Sequence, residues 1–243
     1  MLEKPTPQTY AELQLAYDHF NQALFSGELP PCLLTLQREK QTHGYYSAKR
    51  FVHRDGQSFT DEIALNPSFF SIVPPQEIMQ TIVHEMVHAW QFHFGKPGRR
   101  GYHNQEWAEK METIGLMPSS TGQPGGAKTG EKMADYIIPG SAFDQACQAL
   151  LGKQDYHISW LDRYPPAPPT TSKIGGRGGI RQPTVLPAEL EKAIELPNSE
   201  NKTNRIKLRC PTCGNQAWCK PNMKLACGED DCHRVLMTIV LDS

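Results

Sequence analysis

No stretch of eighteen consecutive apolar residues occurs in this 243-residue sequence, which leaves no room for a membrane-spanning helix. A charged start followed by an apolar core is also missing, so no secretory signal is expected and the chain reads as cytoplasmic. Net charge is scarce: 25 Lys and Arg stand against 26 Asp and Glu. That near-balance hides an asymmetry, since residues 1–160 hold 13 basic and 17 acidic residues while residues 161–243 hold 12 and 9. The second stretch is the better suited to a polyanion. No self-similarity appears at the periods of solenoid repeats. Residues 165–204 have no aromatic residue but seven prolines and four glycines, and cannot bury enough surface to fold alone. They read as a disordered linker between a domain at 9–164 and a small one at 205–243.

Cysteine is sparse until late in the chain. Of seven, an odd number, five crowd into residues 210–232, which fits metal coordination in a reducing compartment better than disulfides. Cys32 and Cys147 stand alone and read as small buried apolar residues.

Against these absences stands the run Thr81-Ile82-Val83-His84-Glu85-Met86-Val87-His88-Ala89-Trp90. Pro74 and Pro75 suit the start of a helix and Gly95, followed by Pro97, suits its end, so residues 76–94 are predicted helical. His84 and His88, four apart, then leave one face about one turn, or roughly 6 Å, from each other, and one metal ion can touch both. Glu85 lies about 100° further round, placed to act as a base without being a ligand. Ile78, Met79, Ile82, Val83, Met86, Val87, Trp90 and Phe94 surround the trio broadly enough to predict a buried helix.

The loop Lys96-Pro97-Gly98-Arg99-Arg100-Gly101 can turn the chain back, and His103-Asn104-Gln105-Glu106-Trp107 then opens a second helix, bringing a third ligand, His103. A third histidine at position 94 would mark the metzincin pattern, but Phe94 excludes it. His93, about 140° away from His88, is read as a solvated side chain.

His84-Glu85-Met86-Val87-His88-Ala89 and Gly101-Tyr102-His103-Asn104-Gln105-Glu106-Trp107 together resemble the SprT-like metallopeptidases, whose eukaryotic members include the Spartan protease acting on DNA–protein crosslinks. The resemblance covers roughly residues 9–116. It implies an α+β, zincin-like (SprT-type) domain with a small β-sheet, and a protein substrate associated with DNA. The C-terminal cysteine pairs resemble the zinc ribbon of bacterial relatives.

Elsewhere, Thr9-Tyr10-Ala11-Glu12 reads as a capping box, followed by Leu13, Tyr17, Phe20 and Leu24 on one helical face until Gly27. Residues 32–38, 44–53 and 60–66 read as three strands, with a hairpin at Asp55-Gly56. A sheet edge beside the metal helix can accept an extended peptide as an added strand. His43 and His53 lack metal-ligand spacing and read as partly exposed strand residues. Pro118 to Gly130 is too rich in Gly and Pro for a regular element and, lacking Walker spacing, reads as a substrate-side flap. Ser141 opens a short helix packed through Phe143, Ala146, Cys147 and Leu150. Within the linker, Pro187 to Ile194 can form a transient helix, and Gly175 to Gly179 resembles arginine-glycine segments that touch nucleic acid weakly.

Cys210, Cys213, Cys227 and Cys232 form two pairs at zinc-ribbon spacing, a closed tetrahedral set for a structural zinc. Cys219 and His233 are the substitute ligands. Lys202, Arg205, Lys207, Arg209, Lys220 and Lys224 occur with no acidic residue among them, an expected phosphate-binding face, although four thiolates around a zinc also attract cations. Trp218 can stack a base or cover the ribbon.

The expected chemistry is zinc-dependent peptide hydrolysis: His84, His88 and His103 hold a catalytic zinc, and Glu85 activates the attacking water. Tyr102, Arg99 and Arg100 are candidates to steady the oxyanion. DNA is the expected second partner, through the basic C-terminal region, which fits association with a nucleoid. The alternative from another class is a non-catalytic DNA-binding or transcription-associated adaptor with structural zinc sites, against which Glu85 argues.

Overall fold

In the computed structural model the first helix, α1, runs Pro5–Phe25, a full turn earlier than the sequence reading placed it. Pro5 occupies the first helical position, where a missing N–H costs nothing and the fixed φ is already helical. The capping box does not form. Thr9 lies inside the helix and its hydroxyl donates to the Pro5 carbonyl at 2.9 Å, while Glu12 accepts from the backbone N–H of Ser159, also at 2.9 Å. Leu13, Tyr17 and Phe20 are buried as the periodicity requires.

The structure describes residues 4–39, 42–166, 186–196 and 205–239, and they divide into two units, one within residues 1–197 and one within 198–243. Most of the expected linker, the Gly175–Gly179 segment and Lys202 lie outside the described residues. Inside it, a short helix does occur at Ala188–Ala193, and the backbone N–H of Glu195 donates to the Arg163 carbonyl at 2.8 Å.

In the first unit, β1 (Leu33–Leu36), β2 (Gly44–Val52) and β3 (Phe59–Leu65) form a sheet in the order β1-β3-β2. The central strand β3 is parallel to β1 and antiparallel to β2, and β2 carries a register shift between Ser47 and Phe51. The turn at Asp55-Gly56 is closed by the Asp55 carboxylate, which accepts from the N–H groups of Gln57 and Ser58. His43 and His53 sit just outside β2.

Across the sheet lies the metal helix, α2 (Pro75–Phe94), with residues 78, 79, 82, 83, 86 and 87 buried. Its end emerges from the core: Phe94, expected to be covered, is 52% exposed. Gly44 permits the close crossing of β2 and α2, since a Cβ there would stand 2.8 Å from the Ala64 carbonyl oxygen and 2.9 Å from a Thr81 methyl.

After α2 come α3 (Gln105–Ile114), β4 (Leu116–Ser119), β5 (Ala134–Ile137) and α4 (Ala142–Leu151). Pro118 and Ser119, assigned to a flap by composition, are therefore strand residues, in an antiparallel hairpin of β4 and β5. Pro118 is tolerated because β4 has one neighbour only. One core joins α1, β3, α2, α3 and α4, from Leu13 and Phe20 through Met79 and Met86 to Trp107, Met111 and Phe143. No helix among the described residues is long and apolar enough to cross a membrane.

The second unit pairs β6 (Ile206–Arg209) with β7 (Gln216–Cys219) and β8 (Thr238–Ile239). Its core is small: Cys210, Cys227 and Cys232, with Val235 and Met237 packed beside them.

Candidate functional site

Helical spacing puts His84 and His88 on one face of α2, and the loop after Gly95 returns His103 to them. Gln91, 2% exposed, organises that return: its amide donates to Asn104 Oδ1 at 2.7 Å and to Glu106 Oε2 at 2.8 Å. Asn104 in turn caps α3 by accepting the N–H of Trp107 at 3.0 Å and donates to the Lys96 carbonyl. Thus the loop is closed by a hydrogen-bond network centred on the buried Gln91, not by composition alone.

The result is a convergence of three imidazoles. His103 Nε2 lies 3.1 Å from His88 Nε2 and 3.3 Å from His84 Nε2. On the outer side, His84 Nδ1 is 2.9 Å from Asp135 Oδ2, and His103 Nδ1 is 3.0 Å from the Gly130 carbonyl oxygen. A carboxylate and a carbonyl can only accept, so both Nδ1 atoms carry the proton and both Nε2 lone pairs face inward. Facing lone pairs at 3.1–3.3 Å repel unless a cation lies between them. Two nitrogens bound tetrahedrally to zinc at roughly 2.0–2.1 Å stand about 3.3 Å apart, so the donor set fits zinc.

Trp107 forms the floor, its ring centroid 4.9 Å from that of His84, 5.4 Å from His88 and 4.4 Å from His103. Glu85, next to His84 on α2, is 2% exposed. Arg99, one of the oxyanion candidates, pairs with Glu131 at 2.6 Å and lies 5.3 Å from the ring of Tyr102, the second candidate.

His93 is exposed, as the sequence suggests, but it has a partner that the sequence does not show. Its Nε2 is 2.6 Å from Oδ2 of Asp61, a buried carboxylate on β3 that also accepts from the Tyr46 hydroxyl at 2.8 Å and the Lys49 N–H at 2.7 Å. Burial works against the Asp61 charge, but the Lys49 N–H, His93 and the Tyr46 hydroxyl together hold the carboxyl below its ordinary range.

In the second unit Cys210, Cys213, Cys227 and Cys232 gather, with Cys213 Sγ 3.5 Å from Cys227 Sγ and Cys210 Sγ 3.8 Å from Cys232 Sγ. These distances are far beyond a disulfide and match the roughly 3.8 Å between thiolates on one tetrahedral zinc. The N–H of Cys213 holds the Cys210 thiol down, to about 6, whereas burial pushes Cys232 up to about 12. Four thiols cannot all ionise together without a cation. Cys219 and His233 stay outside the group: Cys219 Sγ contacts the Met223 carbonyl at 3.9 Å. Among the described residues, this cluster and the three histidines are the groups able to hold a metal ion.

Asp135, Gly130 and the Asp61–His93 pair are the site-building residues that sequence reasoning missed. They lie 27 to 51 positions from their partners in the site, with no motif spacing to flag them.

The family model described as SprT-like matches residues 13–125, a span holding all three histidines and Glu85 but not Gly130, Asp135 or the cysteine cluster. A stretch of 59 residues is 68% identical to an uncharacterized protein in the mucB 3' region of Salmonella typhimurium, covering 24% of this chain and 80% of that protein. No solved structure matches the chain.

Proposed function

The chain belongs to the SprT-like family, and from that premise we propose that it is a zinc-dependent metalloendopeptidase acting on DNA-bound or DNA-crosslinked proteins. The observation that carries the reading is the convergence of three inward Nε2 atoms beside a buried glutamate on the same helix. A structural site needs no such acid. His84, His88 and His103 would hold the zinc. When bound there, it supplies a Lewis acid that acidifies water and polarises a peptide carbonyl.

The protein's own groups do the rest. Glu85 takes the proton from the attacking water and passes it to the leaving amine. The outer edge of β2, which pairs with no further strand among the described residues and packs beside α2, can bind substrate backbone as an added strand, which gives affinity without demanding a sequence.

The DNA part of the proposal rests on the second unit. Lys207, Arg209, Lys220 and Lys224 lie in or near its sheet, and Trp218 on β7 is 60% exposed with the Lys207 ammonium 5.6 Å from its ring centroid. An outward indole flanked by cations suits a stacked base and its phosphates.

The test mixes the purified protein with a DNA-crosslinked protein, with and without free DNA and chelator, alongside Glu85→Gln. Cleavage is expected for the wild type only. Chelator abolishes it, and Glu85→Gln keeps its metal but loses about 10²–10⁴ in rate. Undiminished proteolysis by the variant would remove Glu85 as the base. Indifference to DNA would remove the nucleic-acid part.

A further inference from the structure

Asp135 and the Gly130 carbonyl touch the outer nitrogens of His84 and His103, and both come from one hairpin. Asp135 on β5 presents Oδ2 to His84 Nδ1 at 2.9 Å and Oδ1 to the amide of Gln80 at 2.8 Å. Gln80 and His84 are one helical turn apart on α2, so a single carboxylate is gripped at both oxygens by neighbours on one face. The Asp135 side chain is 8% exposed and the His84 side chain 6%, so little water competes for this contact. In the loop between β4 and β5, Gly130 exchanges two backbone hydrogen bonds with His103, at 2.8 and 3.0 Å, and its carbonyl also accepts from His103 Nδ1. That loop is stiffened from within: the Ser119 hydroxyl, 1% exposed, accepts from the N–H groups of Thr121 and Gln123, and Ser120 N–H donates to the Ala127 carbonyl at 2.7 Å.

We propose that the β4–β5 hairpin is an outer-shell clasp, in which Asp135, locked by Gln80, and the Gly130 carbonyl fix the protonated Nδ1 of His84 and His103 so that both Nε2 atoms stay aimed at the metal. Asp135 is the positioning residue with the larger effect, because its charge also makes the His84 ring a more basic ligand. Asp135 and Gly130 both lie beyond the segment matched by the family model, residues 13–125. The proposal rests on the reading that the three histidines hold the zinc.

The experiment measures metal affinity in the full-length protein by competition with a chromophoric chelator, together with the visible absorption of the cobalt-loaded form. Variants are Asp135→Ala, Asp135→Asn and Gln80→Ala, with His84→Ala as reference. Asp135→Ala is expected to weaken the histidine site by about 10- to 100-fold and to shift the cobalt bands, while the metal of the four-cysteine cluster is retained. Asp135→Asn keeps an acceptor without its charge and should fall between wild type and alanine. Gln80→Ala should cost a few-fold, and both milder variants decide the matter if Asp135→Ala does not fold. Wild-type affinity and cobalt spectrum in the variants that fold would overturn the clasp. If His84→Ala also keeps both metals, the histidine site itself fails; if it loses one while the Asp135 and Gln80 variants bind as wild type, only the clasp fails.

Discussion

Trp107 is completely buried under the three imidazoles, and its Nε1 has no hydrogen-bond partner among the described residues. A buried N–H without an acceptor costs about 1–3 kcal/mol, so the position is kept for the ring, not for its donor. Trp107→Phe should therefore change stability by less than about 2 kcal/mol, the lost area partly offset by removal of the unpaired group. Trp107→Ala, which opens a cavity beneath the ligands, should cost about 3–5 kcal/mol in urea unfolding of the metal-free protein. Equal losses in both variants would sink this account. Cys32 and Cys147 give a second single-residue test. Burial pushes both thiols up to about 12, so neither should be alkylated at neutral pH in the native state, as peptide mass spectrometry would show. At this scale the pairing of His84 and His88 was legible because helix geometry turns a four-residue spacing into a shared face. Trp107 was legible as a core residue only. Periodicity reports which face is buried, not what lies against it.

Among the elements, the corner where β2, β3 and the end of α2 meet depends on one carboxylate. Asp61 ties the Lys49 N–H, the Tyr46 hydroxyl and His93 together, and Lys49 has a left-handed φ of 48°, inside the irregular stretch of β2. A non-glycine residue holds that conformation only when its surroundings impose it. Asp61→Asn should cost about 1–3 kcal/mol at pH 7, by loss of charge-assisted hydrogen bonds. The sign with pH follows from a folded-state value below the ordinary one: this stabilisation is present above about pH 4 and is lost as the pH falls through the folded value. The stability gap between wild type and variant should then shrink on acidification below about pH 4; a gap unchanged down to pH 2 would rule Asp61 out as its source. β1, β2 and β3 and the helices α2, α3 and α4 could be read from alternation, prolines and caps, because those signals are local, whereas β4 and β5 were hidden beside a Gly- and Pro-rich stretch. The start of α1 was misread, since a capping-box pattern at Thr9 competed with Pro5, and the proline decided it. The partner of His93 was not legible because it lies 32 positions away on another element.

For the molecule as a whole, crowding of cysteines and the shift from acidic to basic composition already separated two parts, but the return of residues 186–196 to Arg163 left no mark in composition. The two units differ in what holds them. The first has a continuous apolar core spanning its helices and sheet, whereas the core of the second is a small cluster of Cys210, Cys227 and Cys232 with Val235 and Met237 packed against it, and Leu208 and Cys219 are buried beside it among the described residues. So small a core does not reach folding stability alone, and a metal held by the four cysteines would supply most of what is missing. Cys227→Ser in the full chain should thus lose one of two bound zinc ions and unfold residues 205–239, seen as rapid amide exchange there, while the melting of the first unit stays within about 2 °C. His84→Ala should lose the other ion and leave protection in both units nearly intact, because the core around Met79, Met86 and Phe143 does not need the metal to stay packed. Loss of both ions from either substitution, or one shared unfolding transition that moves with both, would show that the units are energetically one, and that the cysteine cluster does more than hold its own ribbon together.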